Sequence, residues 1–356
     1  MININKLLME CIDKGGSDLH LTVGKPPILR LDGRLVSLDF PELKPDDVES
    51  MMTQITDEEK RRKVSEVGGC DFGFGFGKNR FRASVYRGRG VIGISLRLIP
   101  SELLTFSELG LSDKVRDLLF RTRGLILVTG PTGSGKSTTL ATMINYINTN
   151  IDCHIITIED PIEYYHQHKK SIITQREVGM DVPSFSEAII RGLRSDPDVI
   201  LVGEMRDLPT IQAALLAAET GHLVFATLHT VNAAQTVDRV VNSFAIHQQE
   251  QVRAQLSACI LAVLSQKLLL RKSKKGRVAC FEVMVSTSSV QSLIREKKTF
   301  RIPSELQTGS KYGMKPFDFS LIELYQNGII SKDTAYKNAF DKEQFDTMFK
   351  ERVNRK

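Results

Sequence analysis

Apolar side chains recur at intervals of three and four from Ile4 through Leu7, Leu8, Cys11 and Ile12. That spacing predicts a helix over 4–13 with one buried face. Gly15 and Gly16 stop it. The period then shortens to two. Residues 19–23 alternate until Gly24-Lys25-Pro26-Pro27 breaks the run, and 28–31 and 34–38 read as short strands joined by a tight turn at Asp32-Gly33. Residues 46–67 are polar and periodic, which predicts helix. Phe72, Phe74 and Phe76 alternate with glycine in the next strand, and two more strands are expected over 79–87 and 91–98. This half of the pattern predicts a small α+β domain with an antiparallel sheet, ending at Pro100.

From Gly124 onward the texture changes. A helix around 112–120 is expected to bridge into it. Apolar runs at 125–129, 154–158, 199–202 and 223–227 then alternate with helical segments, the pattern of a parallel sheet. Helices are expected over 208–219 and 246–270, and the tail after 314 reads as helical and polar. The expected division is a first domain over 1–100, a linker and bridging helix over 101–122, and a second domain over 123–356.

Composition narrows the partners rather than the fold. The chain has 356 residues and a formal net charge of +6. A basic balance permits nucleic acid, an acidic membrane surface or a nucleotide as ligand, and fits a mildly basic enzyme better than a dedicated polyanion binder. Cysteines stand at 11, 70, 153, 259 and 280 with no CxxC spacing, which argues against a zinc ribbon and for reduced thiols. The start Met1-Ile2-Asn3-Ile4-Asn5-Lys6 lacks the layout of a signal peptide. No uninterrupted apolar stretch reaches the roughly 18 residues that a membrane helix needs. Membrane contact is expected only through a partner or a peripheral face.

The strongest chemical signal is Gly130-Pro131-Thr132-Gly133-Ser134-Gly135-Lys136-Ser137-Thr138, which follows an apolar strand and opens a helix-forming run. It fits G-x-x-x-x-G-K-[ST]. Glycines let backbone N–H groups curl round phosphate oxygens, and the following helix offers its positive end. Thr132, Gly133, Ser134, Gly135, Lys136, Ser137 and Thr138 are therefore the candidate nucleotide-binding residues. Lys136 would reach the terminal phosphates, and the Ser137 hydroxyl can hold Mg²⁺. ATP with Mg²⁺ is the expected ligand.

In open parallel sheets ligands sit at the carboxyl ends of strands. Three later runs end in suitable side chains: Glu159-Asp160-Pro161-Ile162-Glu163, Gly203-Glu204-Met205-Arg206-Asp207, and His229. Glu204 can orient an attacking water or hold Mg²⁺, and Glu163 is its rival for the water. His229, at the carboxyl end of its strand, is a candidate sensor of the terminal phosphate. His222 flanks the same strand seven residues earlier, roughly 23 Å away at about 3.3 Å per residue, so the two cannot share one metal ion.

Together these blocks resemble the secretion ATPases of type II secretion and type IV pili. Four boxes match in order and spacing: Walker A at 130–138, an aspartate box at 156–163, an atypical Walker B at 196–207 and a histidine box at 219–230. Ser17-Asp18-Leu19-His20-Leu21, Arg97-Leu98-Ile99-Pro100 and Gln307-Thr308-Gly309 extend the likeness to nearly the whole chain. The resemblance implies a fold of class α/β, with an N-terminal PAS-like α+β domain, a C-terminal RecA-like P-loop domain with a mainly parallel sheet, and a hexameric ring. It also implies that Arg82 and Arg97 reach the nucleotide. Arg176, Arg194, Arg206 and Arg239 are further candidates for pairing across a subunit seam.

Extension and secretion members carry a longer N-terminus and often a four-cysteine module, so this chain resembles the retraction branch. The stretch Ser289-Val290-Gln291-Ser292-Leu293-Ile294-Arg295-Glu296 keeps only the second half of a box tied to retraction in that branch. The expectation is an ATP-hydrolysing homo-hexameric motor that retracts a type IV pilus and drives twitching motility. It would dock on an inner-membrane platform protein from the cytoplasmic side. The alternatives are an accessory paralogue working beside another ATPase, an assembly ATPase, and a nucleic-acid translocase. No basic-aromatic stacking segment supports the last, and no nucleic acid is expected as partner.

Overall fold

The computed structural model describes residues 3–31, 33–99, 103–273, 276–340 and 342–353. Met1, Ile2, Asp32 of the expected turn and Pro100 lie outside them. The chain forms two compact units, Met1–Glu102 with Pro161–Tyr165, and Leu103–Asp160 with His166–Lys356.

The first unit begins with helix α1 (Ile4–Asp13), whose Ile4, Leu7, Leu8 and Cys11 are buried as their spacing requires. Strands β1 (Asp18–Leu21), β2 (Ile28–Leu31) and β3 (Arg34–Ser37) follow. The helical stretch expected over 46–67 forms as two helices, α2 (Pro45–Ile55) and α3 (Glu58–Val67). Thr56 between them is extended at φ −123°, ψ 145°. Its hydroxyl donates back to the Met52 carbonyl at 2.7 Å. Asp57 then accepts from the Lys60 N–H and starts a new helix. Short polar side chains compete with helix continuation in this way.

Strands β4 (Gly69–Phe76), β5 (Asn79–Gly88) and β6 (Val91–Ile99) complete an antiparallel sheet of order β3-β2-β1-β6-β5-β4. Leu19, Leu21, Leu29, Phe72, Phe81, Ala83, Val85, Ile94 and Leu96 point to one face and join α1, α2 and α3 in a core. Alternate positions put Arg30, Asp18, Arg97 and Arg82 in one transverse row on the other face, paired strand to strand in register.

In the second unit a helix over 112–120 was expected. The helix α4 (Asp113–Asp117) is shorter and passes into a tighter 3₁₀ turn at Leu118–Phe120. The elements then run β7 (Gly124–Thr129), α5 (Lys136–Asn150), β8 (His154–Glu159), β9 (Ile172–Glu177), α6 (Phe185–Gly192), β10 (Val199–Val202), α7 (Leu208–Glu219), β11 (Leu223–Leu228) and α8 (Ala233–Asn242). They continue through α9 (Gln249–Cys259), β12 (Ile260–Leu270), β13 (Arg277–Val285), α10 (Ser288–Arg295), α11 (Ile302–Thr308), α12 (Phe317–Gln326), α13 (Lys332–Asn338) and α14 (Lys342–Val353).

The sheet order is β13-β12-β7-β11-β10-β8-β9, parallel except for the β12–β13 hairpin at its edge. It is covered on both faces. Leu125, Leu127, Ile200, Val202, Val224 and Ala226 face α6 to α11, while Ile126, Val128, Leu201 and Phe225 face α4 and α5. Each fully buried side chain of this size contributes roughly 1.5–3 kcal/mol of transfer free energy.

The helix expected over 246–270 ends at Cys259, and its second half is the strand β12. A continuous apolar run carries no period that separates buried helix from buried strand. Pairing with β7 on one side and β13 on the other decides the matter. The tail helices bury Phe317, Leu321, Ile322 and Phe345 against Leu269 and Cys280 of that hairpin.

Candidate functional site

The glycines of the 130–138 loop make its shape. Gly130, Gly133 and Gly135 take φ of +142°, +78° and +89°, a region that side chains disfavour. A Cβ on Gly130 would also collide with the Gln266 carbonyl, and one on Gly135 would come 2.9 Å from Gln266 Nε2. The loop therefore lies directly on strand β12. Gln266 is 4% exposed, and its Oε1 accepts from Thr139 Oγ1 in α5 at 2.7 Å. One residue earlier, Ser265 Oγ accepts from Thr129 Oγ1 at 3.0 Å, the last residue of β7. The hairpin missed at the sequence level is thus the floor of the loop. Polar residues inside an apolar strand were the available signal, because such residues are buried only where partners await them.

Lys136 opens α5 and donates to the carbonyls of Gly130 (2.8 Å) and Pro131 (3.2 Å). Its ammonium is thereby curled across the loop rather than packed elsewhere. Ser137 and Thr132 are exposed, Thr138 is half-buried, and Ser134 Oγ is buried without a hydrogen-bond partner among the described residues. An unpartnered buried hydroxyl inside a ring of positive-φ glycines suits an oxyanion ligand.

Glu204 follows β10 and is held by main-chain bonds on both sides. Gly203 N–H donates to the Ile158 carbonyl at 2.8 Å and Met205 N–H to the Thr227 carbonyl at 3.1 Å. The Thr227 hydroxyl adds a bond to the Gly203 carbonyl at 2.6 Å. The Glu204 carboxylate accepts from Arg206 Nη2 at 2.7 Å and from His229 Nε2 at 2.8 Å. Burial is the largest single influence on it and pushes its pKa up. The hydrogen bonds and charges of Arg206 and His229 together outweigh that and hold it below the usual carboxylate range. Glu204 is therefore an ionised acceptor at neutral pH. Arg206, proposed for a subunit seam, pairs within its own chain here. Among the three adjacent strands β7, β11 and β10, each carboxyl end thus leads into a candidate residue: the loop, His229 and Glu204. Gly130 N–H bonds the Leu228 carbonyl at 3.2 Å, which ties the loop to the start of the His229 turn.

The neighbouring box is used differently. Glu159 Oε1 accepts from Thr157 Oγ1 at 2.7 Å and Gln175 Nε2 at 3.2 Å. Glu163 lies in the segment Pro161–Tyr165, which groups with the first unit together with Arg82 and Arg97. Within that unit Arg80 donates from Nε to the Ile162 carbonyl at 2.7 Å and lies 3.9 Å over the Tyr165 ring. It grips the chain on either side of Glu163. No sequence signal links positions 82 residues apart, so this contact belongs to the tertiary structure.

Arg97 is 65% exposed, and its Nε donates to Asp18 Oδ1 at 2.9 Å. Arg30 Nε lies 3.7 Å from the other oxygen of Asp18, which also accepts from Ser17 Oγ at 2.8 Å. Burial pushes the Asp18 carboxyl up, but the bonds from Arg97 and Ser17 prevail and leave it below its ordinary value. Arg82 faces Arg97 directly across β5 and β6. His222 serves locally: its Nδ1 lies 3.0 Å from the Ala217 carbonyl, at the turn from α7 into β11. Arg176 reaches the Asp181 carbonyl at 3.5 Å. Arg194 follows α6, and Arg239 sits in the last turn of α8.

Comparison with known proteins places these features. The sequence model described as Type II/IV secretion system protein matches residues 1–312. The type IV pilus retraction ATPase PilT of Pseudomonas aeruginosa is 45% identical over 97% of this chain and 100% of its own length. A twitching motility protein of Neisseria gonorrhoeae is 46% identical over 89% of this chain and 85% of its own. A crystal structure of the pilus retraction motor PilT with bound ADP superposes with a TM-score of 0.91 at 47% identity, covering 98% of this chain and 100% of that one.

Proposed function

Because this chain belongs to the type II/IV secretion system protein family, we propose that it is the ATP-hydrolysing motor that retracts a type IV pilus and so drives twitching motility. ATP hydrolysis is the activity of its relatives, and full-length similarity to a retraction ATPase supports the direction of the work. One observation carries the reading: a glycine-built loop, and the carboxylate of Glu204 hydrogen-bonded to His229, stand at the carboxyl ends of three neighbouring strands.

The 132–138 amides and Lys136 would hold the phosphates, with Lys136 exchanging its carbonyl partners for phosphate oxygens. The residues present fit Mg²⁺. Ser137 is exposed in the first turn of α5, beside Lys136, and is a hard oxygen donor of the type that this ion takes alongside phosphates and water. Held by Ser137, the ion would supply positive charge against the phosphate oxygens. Glu204 accepts a hydrogen bond from the attacking water, and His229 orients that carboxylate. Glu163 is the second acceptor. Arg82 and Arg97 would supply positive charge against the negative charge on the oxygens of the transferred phosphoryl group.

A homo-hexameric ring, a membrane platform protein of the pilus as docking partner and a paralogous ATPase as companion accompany this reading. No helix among the described residues is long and apolar enough to cross a membrane, so attachment at the inner face of the cytoplasmic membrane would run through the partner. The test joins chemistry to work. Purified protein should release phosphate from ATP with no stimulation by single-stranded DNA, and deletion of the gene should leave cells densely piliated and unable to retract. Stimulation by DNA, or loss of all pili, would overturn the retraction reading.

A further inference from the structure

Glu282 is a buried acid that nothing above uses. It sits in β13, is 8% exposed, and makes no ion pair among the described residues. In register it faces Ser265 of β12, which in turn faces Thr129 of β7, so the three share the sheet face that α8 covers. Burial pushes its pKa up to about 7, against the pull of the one N–H it accepts, with nearby Asp318 adding to the rise. A carboxyl in such a place is costly, and an aliphatic side chain would pack there without that cost.

Its contact is specific. Glu282 Oε1 accepts from the backbone N–H of Ala233 at 2.8 Å. Ala233 is the first residue of α8, and Asn232 before it caps the helix by accepting from the Gln235 N–H at 2.8 Å. The turn over 229–232 therefore has both ends held. At one end His229 bonds Glu204 at 2.8 Å; at the other Glu282 holds Ala233. The Thr230 and Thr236 hydroxyls, 2.7 Å apart, lock the stretch between. So short a turn cannot shift at one end without moving the other.

We propose that Glu282 is a positioning residue for hydrolysis: by holding the Ala233 N–H it fixes the turn that aims His229 at Glu204. The β12–β13 hairpin then grips the nucleotide site twice, through Gln266 under the phosphate loop and through Glu282 behind the histidine turn. The inference rests on His229 and Glu204 serving hydrolysis.

Steady-state ATPase kinetics of the full chain test it. Glu282→Ala should lower kcat about tenfold with KM moved less than about twofold, the signature of a misplaced group rather than lost binding. Glu282→Gln keeps an acceptor oxygen and should restore kcat to within about threefold of the parent. In a His229→Ala background, Glu282→Ala should cost nothing further, since residues acting as one unit are not additive. Ala233→Pro removes the donor instead of the acceptor. Proline suits the first helical position, and Asn232 is already extended at φ −150°, ψ 167°. That variant should match Glu282→Ala and serves as the probe if the alanine variant fails to fold, with thermal melting as the check. Equal impairment by Gln and Ala, or an additive loss on top of a slow His229→Ala, would overturn this role alone. A His229→Ala enzyme with parental kcat would overturn the reading of His229 and this proposal with it.

Discussion

Among the described residues, the first unit's helices pack on one face of the six-stranded sheet, whereas the seven-stranded sheet is covered on both by helices of its own unit. Their polar chemistry follows from that difference. In the first, alternate residues are free to be charged along a whole face, and Arg30, Asp18, Arg97 and Arg82 form a row across four strands. In the second, both faces are largely apolar, and the candidate site residues gather where strands end: at the 130–138 loop, Glu204 and His229. Antiparallel sheets with one open face and parallel sheets buried on both sides divide the work in this way generally. A polar seam inside the second sheet, through Thr129, Ser265, Gln266 and Glu282, lies at the strands that support the loop and the histidine turn.

The largest effects should therefore come from strand ends of the second sheet. Lys136→Ala and Glu204→Gln should each lower ATP turnover by about 10²-fold or more, measured as phosphate release. Lys136→Ala should also weaken nucleotide binding, whereas Glu204→Gln should bind nucleotide and fail to turn it over. If either variant kept normal turnover, the strand-end half of the comparison would break.

Next come the face residues of the first sheet. Arg82→Ala and Arg97→Ala should each slow turnover about tenfold while circular dichroism and melting stay close to the parent, since both side chains stand off the core. Normal turnover in both would reduce the row to a solvated surface. Asp18→Asn sharpens the same point with a smaller effect, about two- to fivefold in kcat: it weakens the grip on Arg97 without removing the arginine. A full loss there would mean that Asp18 does more than orient its neighbour.

A stability measurement completes the series. Burial, with a lesser contribution from Lys169, pushes the His166 pKa down to about 4 from an ordinary 6.5. The folded state thus prefers neutral His166. Its contribution is intact above about pH 6.5 and is lost as pH falls toward 4, because the unfolded chain takes up the proton first. At pH 5 the loss is about 2 kcal/mol. His166→Gln should flatten the melting temperature between pH 7 and pH 5 relative to the parent; an unchanged slope would show that the acid sensitivity lies elsewhere.

Much of this was legible in the chain. Alternation at Leu19 and Leu21, at Phe72 and at Phe81 to Val85 marked strands with one buried face. The apolar runs before Gly130, Glu159, Gly203 and His229 marked parallel strands whose ends carry the candidate site residues. The phosphate loop was explicit because its shape depends on glycine at set positions. The hairpin was hidden for a physical reason: a strand buried between two neighbours needs no alternation, so Ile260 to Leu270 reads equally as helix. The break at Thr56 was hidden as well, because a side-chain bond to Met52 is a local competition that periodicity does not record.

Local spacing by itself determined most of the secondary elements, the two sheet types and the identity of the phosphate loop, since each of these depends on neighbours within a few residues. Only the tertiary structure decided which distant side chains meet. Gln266 lies under Gly130 and Gly135, Glu282 holds Ala233, and Arg80 grips the chain around Glu163. Those contacts join positions far apart in the chain, and the hydrogen-bonding demand of a buried polar group says that a partner must exist without saying where it stands.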